Sequence, residues 1–368
     1  MKKLVILFLA VAILLLTACK KEEPVVETTT AQTTTQKVEP VYYNFLTGVK
    51  KKDDSRPRPV AVTVNNIEAA LPQYGISDAD IIMEFPAEGG ITRMLALYSD
   101  YRNMPNVCSI RSCRYYFPIF AQGFGAAYFC YGSNETLGTP TLKRIGIDYI
   151  DGNKAGDTLV FERDSERLQS YSLEHTAYLK GENMKKIFDK YKFSKEIPDG
   201  FGDTVFNFSQ KTVKANTACA EVTASFSNYY ESKFTYDTKL KAYLKDHNGD
   251  PHMDGKSGKQ LSFDNVLILQ TEVNNYKGTV LVEINWKGGT GYYITKGTVK
   301  PILWEKESEA SPIKLYDLDK KTIKINTGKT YIGVGASEVI LPEVPETTTA
   351  ATTTKATTTT AVSTTAAQ

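Results

Sequence analysis

Residues 77–98, SDADIIMEFPAEGGITRMLALY, decide how this chain is read. Ser77-Asp78-Ala79-Asp80 is turn chemistry, because short polar side chains bond to nearby backbone and compete with regular structure. Ile81–Phe85 follows as an apolar run, Gly89-Gly90 interrupts it, and Ile91–Tyr98 is a second run. Two such runs separated by glycine predict a β-hairpin. Upstream, Val60–Val64 is a β-branched run directly after Arg56-Pro57-Arg58-Pro59, where a sheet would begin. Downstream, Asn106–Ile110 and Gly125–Tyr131 read as further short strands.

Helical signals are interleaved with these. Thr139-Pro140 reads as a helix start, Thr as N-cap and Pro at the first helical position, with Gly146 as the stop. Asn183–Tyr191 places Met184, Ile187, Phe188 and Tyr191 on one helical face. Beyond residue 205 the signals are nearly all strand: Glu221–Ser227, Lys233–Asp237, Lys241–Lys245, the turn Asn248-Gly249, Phe263–Gln270, Thr279–Asn285, Gly291–Thr295 and Val299–Lys306. The predicted fold class is α+β: a mixed α/β N-terminal domain over 56–204, followed by a mainly antiparallel β C-terminal domain over 205–342.

The ends read differently. Lys2-Lys3, the apolar run Leu4–Leu16 and then Thr17-Ala18-Cys19 have the layout of a secretory signal peptide ending like the lipobox of bacterial lipoproteins. Residues 1–18 are expected to be removed and Cys19 to carry the lipid; the other reading is an ordinary signal peptide with an incidental cysteine. Thr-rich low-complexity sequence covers 20–40, and 346–368 is almost entirely Thr and Ala. Such segments bury too little apolar surface to offset the cost of ordering them. Residues 19–55 are therefore taken as lipidated Cys and disordered linker, and 343–368 as a disordered tail. As flexible coil, the linker would span roughly 30–40 Å root-mean-square.

The chain has 368 residues and a formal charge of +2, which becomes 0 once Lys2 and Lys3 are removed. That gives no basic excess for binding nucleic acid. The expected location is the outer face of the cell membrane, attached through the lipid on Cys19. The expected partners are a cell-wall polymer, an anionic ligand or an envelope protein. No cofactor or metal is expected. Besides Cys19 there are Cys108, Cys113, Cys130 and Cys219. A disulfide Cys108–Cys113 or Cys113–Cys130 fits an extracellular setting, and four small buried thiols fit it too.

Several short motifs carry a resemblance. Arg58-Pro59-Val60-Ala61-Val62 with Asn65-Asn66, Ser77-x-Ala79-Asp80-Ile81 and Glu88-Gly89-Gly90-Ile91-Thr92-Arg93 are similar to the YerB-like lipoprotein family. So are Arg111-Ser112-x-Arg114, His175-Thr176-Ala177-Tyr178, His252-x-Asp254, Asn265-Val266, Gly291-Tyr292-Tyr293 and Trp304, in order over about residues 56–335. The resemblance implies a two-part extracellular domain and no particular activity. Cys108 and Cys113 stand where other small residues would be expected.

The arginines are the foremost site candidates. By alternation Arg93 shares a face with Ile91, Leu95 and Leu97, and an Arg at the mouth of an apolar strand needs a partner. Arg111 and Arg114 lie just after another strand. Three converging guanidinium groups would bind phosphate or carboxylate; alternatively they pair with Asp80, Glu84 or Glu88 and hold the sheet together. Gly132-Ser133-Asn134 could add donors, with Ser133 in the site. Glu88 and His175 are candidate acid–base groups, although a single His without a spaced nucleophile also reads as a hydrogen-bonded packing residue. His252 and Asp254 alternate like ligands but read as hairpin-end turn chemistry.

HExxH, GxSxG and GxxxxGK[ST] are absent from the sequence, so standard proteases, α/β-hydrolases and P-loop enzymes are unsupported. Two readings remain, with an enzyme the less favoured. One is a non-catalytic envelope module with an Arg-lined anion site. The other is an enzyme acting on a phosphorylated or lipid-linked cell-wall precursor, distantly similar to the LytR-CpsA-Psr phosphotransferases. That similarity rests on Ala79-Asp80 before a strand and on Ser109-Ile110-Arg111, where Ser112 replaces the acidic residue that pattern would supply.

Overall fold

The hairpin is present in the computed structural model, which describes residues 40–342. Ile81–Pro86 and Thr92–Tyr98 pair antiparallel, with Ile81 opposite Leu97 and Phe85 opposite Arg93. Gly89 and Gly90 close the turn at φ +78° and +72°, a region that L side chains rarely adopt. Both strands are buried along their whole length because each side is covered. Val62, Val64, Ile82, Met94 and Ala96 belong to one apolar layer, while Ala61, Ile81, Met83, Leu95 and Leu97 belong to the other. Alternation along each strand thus supplies two cores from one sheet.

This sheet has eleven strands and runs through both halves of the chain. In order its members are Thr217–Ala218, Thr298–Glu305, Gly288–Thr295, Asn265–Gln270, Thr330–Val334, Ile81–Pro86, Thr92–Tyr98, Val60–Asn65, Ala127–Cys130 and Tyr149–Asp151, with Lys314–Tyr316 beside Thr298–Glu305. The late strand Thr330–Val334 is the join, lying parallel to both Asn265–Gln270 and Ile81–Pro86. The N-terminal half is mixed α/β and the C-terminal half mostly antiparallel, yet the described residues from Val41 to 342 belong to one compact unit.

On one side of the sheet lie the helix Tyr116–Gly123, which contributes Tyr116, Phe117 and Phe120, and Trp304. The other side includes the helix Met184–Tyr191 and a six-stranded antiparallel sheet containing Glu221–Ser225, Glu231–Asp237 and Ala242–His247. Asn248 and Gly249 at φ +50° and +90° turn Ala242–His247 into Asp250–Pro251, as their sequence predicts.

Two expectations need correction, and of the two cysteine readings the one with buried thiols holds. The segment 41–55, assigned to the linker, is folded: Tyr42–Tyr43 pairs with Lys50–Lys51, and Phe45 and Leu46 enter the core. Asn44 Oδ1 holds that turn by accepting from the Leu46 and Thr47 N–H groups. The helix expected to start at Thr139 runs Gly138–Ile145, with no side chain capping it; Asn134 Oδ1 takes the Thr136 and Leu137 N–H groups just before it. Its stop, Gly146, is left-handed as read. All four body cysteines are free and buried. Cys113 and Cys130 sit in the same apolar layer, whereas the Cys108 thiol faces the His175 carbonyl. Cys19, the expected signal peptide and the Thr-rich tail lie outside the described residues.

Candidate functional site

The far end of the hairpin carries charge on both faces. Residues directly opposite in an antiparallel ladder share a face. Arg93 pairs with Asn65 and Phe85, and Glu84 pairs with Met94. Arg93 and Glu84 therefore leave opposite sides of the same sheet.

On the first face, Arg93 is 5% exposed and its Nη1 donates to the Ser112 carbonyl at 2.9 Å. Its Nε has no partner. Burial first, and then the Arg114 and Arg111 charges, pull the guanidinium down to about 10, with Glu88 opposing. Arg114 Nε donates to both Glu88 oxygens at 2.6 and 2.7 Å. Arg111 Nη2 pairs with Glu174 Oε2, and the Arg111 backbone N–H holds the Thr63 carbonyl beside the strand end. The sequence-predicted arginines are thus near neighbours, flanked by Glu88 and Glu174.

His175 joins this face through Asn65, whose Nδ2 donates to His175 Nδ1 at 3.0 Å. The proton of the neutral ring then sits on Nε2, 3.7 Å from Glu174 Oε1. Burial lowers its pKa, with Glu174 opposing and the arginines assisting. Ser133 does not join the cluster. Its hydroxyl bonds Thr139 Oγ1, and the Gly132 N–H goes to Asp151 Oδ1, so the donors expected there are used internally. Two more polar atoms lack partners next to Arg93: Asn65 Oδ1 and Ser109 Oγ. They are close along the backbone, since the Asn65 N–H donates to the Ser109 carbonyl.

On the opposite face Glu84 is 1% exposed and surrounded by donors. Asn66 Nδ2 (3.0 Å) and Thr92 Oγ1 (2.7 Å) donate to its Oε1. Ser232 Oγ (2.7 Å) and the Tyr331 hydroxyl (2.8 Å) donate to its Oε2. Lys245 Nζ stands 3.6 Å from Oε2. Burial pushes the carboxyl up, but Lys245 and the hydroxyl donors more than offset it, so it ends below the ordinary carboxylate value. Burial lowers Lys245, with Glu84 opposing.

Lys245 also donates to His252 Nδ1 at 3.0 Å, which puts the proton of neutral His252 on Nε2, facing Gln73 Oε1 at 3.0 Å. Gln73 Nε2 donates onward to the Asn65 carbonyl at 2.7 Å, and lies 3.3 Å from Asn66 Oδ1. The network therefore closes from Lys245 back to Glu84, and the Asn65-Asn66 pair links it to the arginine face.

Reasoning from sequence missed Lys245, His247 and Glu84 as a unit. In Ala242-Tyr243-Leu244-Lys245-Asp246-His247 the buried set is Tyr243, Lys245 and His247, while Leu244 is only half-buried. Hydrophobic alternation reads that strand the wrong way round. The usable signal was the opposite parity, Lys and His in step with Tyr243. His252 enters this network, while Asp254 does the expected turn work, accepting from the Lys256, Ser257 and Ser77 N–H groups. Asp80, which the phosphotransferase layout would need near the arginines, sits at the other end of the strand. It accepts from the Ser99 N–H at 2.8 Å, and Phe85 is five residue steps further along, about 16 Å of strand.

Two family descriptions match this chain, the N-terminal and C-terminal domains of a protein of unknown function, DUF3048, over residues 46–194 and 222–332. The chain belongs to this family. A relative in Bacillus subtilis (strain 168), named "Putative lipoprotein YerB", is 28% identical over 299 residues, covering 78% of this chain and 85% of the relative. The crystal structure of the YerB protein from Bacillus subtilis superposes with a TM-score of 0.69 at 24% identity, covering 82% of this chain and 99% of the other. The two DUF3048 parts are thus halves of one continuous sheet in this chain, joined where Thr330–Val334 meets Ile81–Pro86.

Proposed function

We propose that this protein is a lipid-anchored module of the outer cell surface that binds an anionic group between Arg93, Arg111 and Arg114. The anchor rests on the lipobox at Cys19 and on the lipoprotein name of the B. subtilis relative. The ligand reading rests on Arg93: a buried guanidinium with one carbonyl acceptor, an unpaired Nε and two like-charged neighbours. A buried charge is stable only when fully partnered. Three arginines against Glu88 and Glu174 leave one positive charge over, and a phosphate or carboxylate would complete the set bidentately. The distance of Asp80 from the cluster gives a metal-assisted transfer reaction no support from geometry.

The test is thermal melting with inorganic phosphate and pyrophosphate at constant ionic strength. Wild type should gain stability with anion concentration, and Arg93→Met, which keeps the apolar stem and removes the charge, should not. If no anion stabilises wild type and Arg93→Met merely melts lower, the arginines are structural. The anchor has a separate readout: Cys19→Ser should leave the membrane fraction.

A further inference from the structure

The arginine cluster lies at the carboxyl ends of parallel strands. Val60–Asn65 and Ile81–Pro86 both pair antiparallel with Thr92–Tyr98, so they run the same way, and Ala127–Cys130 runs parallel to Val60–Asn65. Arg93 stands opposite Asn65 and Phe85 at the ends of two of these strands. The segment carrying Arg111 and Arg114 is tied to the same edge: the Arg111 N–H bonds the Thr63 carbonyl and the Cys113 N–H the Gly132 carbonyl. Open sheets with parallel strands take ligands just outside such ends. One protein group already occupies this edge. Both carboxylate oxygens of Glu88 converge on Arg114 Nε, at 2.6 and 2.7 Å. Burial first, and then Glu88, raise the Tyr116 hydroxyl well above its ordinary value, with Arg93 and Arg114 opposing, so these side chains share one locality.

Glu88 is held more lightly than the other carboxylate of the cluster. Glu174 pairs with Arg111 and also lies 3.7 Å from His175 Nε2. Among the described residues, the Glu88 carboxylate accepts from Arg114 alone. It projects from the turn Glu88-Gly89-Gly90, where a Cβ added at Gly89 would meet nothing within 4 Å, so open space adjoins the turn. Arg114 is the more firmly placed partner, because its Nη1 donates to the Cys113 carbonyl at 3.1 Å. The charges decide what can displace Glu88. With both carboxylates in place, the three arginines keep one positive charge unanswered; with Glu88 swung out, they keep two. A monocarboxylate arriving at Arg114 exchanges one carboxylate for another and gains little. A doubly charged phosphate matches the two charges it uncovers, and its oxygens can take donors from more than one guanidinium. Specificity is a difference of affinities, and here an internal carboxylate sets the difference.

Given that the arginines bind an anion as proposed above, we infer that Glu88 is a built-in competitor for their site. It must leave Arg114 before the ligand binds, and it thereby selects a dianionic phosphate monoester over a carboxylate or a phosphodiester.

The test is calorimetric titration of the full chain with phenyl phosphate, dimethyl phosphate and acetate at pH 7 and constant ionic strength. Phenyl phosphate is mostly doubly charged there, and the other two carry one charge. Wild type should bind phenyl phosphate and show no saturable heat with either monoanion. Glu88→Gln keeps an acceptor for Arg114 Nε and removes the charge. It should bind phenyl phosphate roughly tenfold or more tightly than wild type, and should now take acetate and dimethyl phosphate as well. Glu88→Asp keeps the charge on a shorter reach and should fall between the two. Glu174→Gln removes the same charge from a group that need not move, and should gain clearly less than Glu88→Gln. Equal phenyl phosphate affinity in wild type and Glu88→Gln would leave the anion site standing and sink the competitor. So would equal gains in Glu88→Gln and Glu174→Gln, or acetate binding to wild type as tightly as phenyl phosphate. If no anion binds wild type or any of these variants, the anion reading of the arginines falls, and the role of Glu88 with it.

Discussion

Arg93 and Glu84 sit at the same end of the same hairpin, are buried to the same degree and point to opposite faces, yet their environments differ in kind. Glu84 accepts four hydrogen bonds and faces Lys245, so its charge is fully answered from within the chain. Arg93 has one carbonyl, a free Nε and two neighbouring guanidinium groups. Burying a charge costs several kcal/mol unless partners repay it. The Glu84 face repays it and therefore reads as structure holding two sheets together. The Arg93 face leaves it incomplete, and the proposed anion site rests on that incompleteness.

The sharpest way to break this contrast is to remove the partner on the complete side. Lys245→Met leaves Glu84 buried without its counter-charge and should cost about 3–5 kcal/mol of unfolding free energy by urea titration. Glu84→Gln added to it should recover a large part of that loss, since a neutral amide no longer needs a cation. Arg93→Met should cost much less than Lys245→Met, because it removes a charge that repels its neighbours. Equal losses at the two positions would erase the distinction between the faces.

Acid offers a graded version of the same comparison. Burial holds His247 at about 4, well below the ordinary 6.5, and drives His252 well below its ordinary value. As pH falls through 6.5 the unfolded chain takes up protons at both rings while the folded chain refuses them. Stability therefore falls as pH drops from about 6.5 toward 4, by up to ~1.4 kcal/mol per pH unit for each ring. Glu84, held below its ordinary value, extends the loss to lower pH in the same direction. The urea midpoint should decline steadily from pH 7 to pH 5, and His247→Phe should decline less steeply by about one proton. A midpoint flat over that interval would mean these rings are not held neutral.

What the sequence made legible was local. The hairpin Ile81–Tyr98 could be read because two apolar runs meet at Gly89-Gly90, and Arg93, Arg111 and Arg114 because each follows or opens a strand. The strand Thr330–Val334 was not read, since TYIGV is short, contains a glycine and pairs with partners distant in the chain. Chain position puts Ser133 beside the arginines, but its hydroxyl bonds Thr139 six residues on. The Glu84 network was hidden for a different reason. Its members Asn66, Gln73, Glu84, Thr92, Ser232, Lys245, His252 and Tyr331 are scattered along the chain, and Lys245 occupies a parity that hydrophobic patterning assigns to solvent.

The smallest effect tests the link between the faces. Asn65 and Asn66 are adjacent, yet Asn66 donates to the Glu84 carboxylate while Asn65 donates to the neutral ring of His175. Hydrogen bonds to charged groups contribute about 1.5–3 kcal/mol and those between neutral groups about 0.5–1.5. Asn66→Ala should therefore cost roughly twice what Asn65→Ala costs in urea titration. Asn65 Oδ1 has no protein partner to lose, which lowers its share further. Because Asn65 touches the arginine face, its replacement should register less in stability than in the anion-induced melting shift. If Asn65→Ala were the more destabilising of the two, Asn65 would belong to the structural network, and the division between a completed face and an open one would have to be drawn elsewhere.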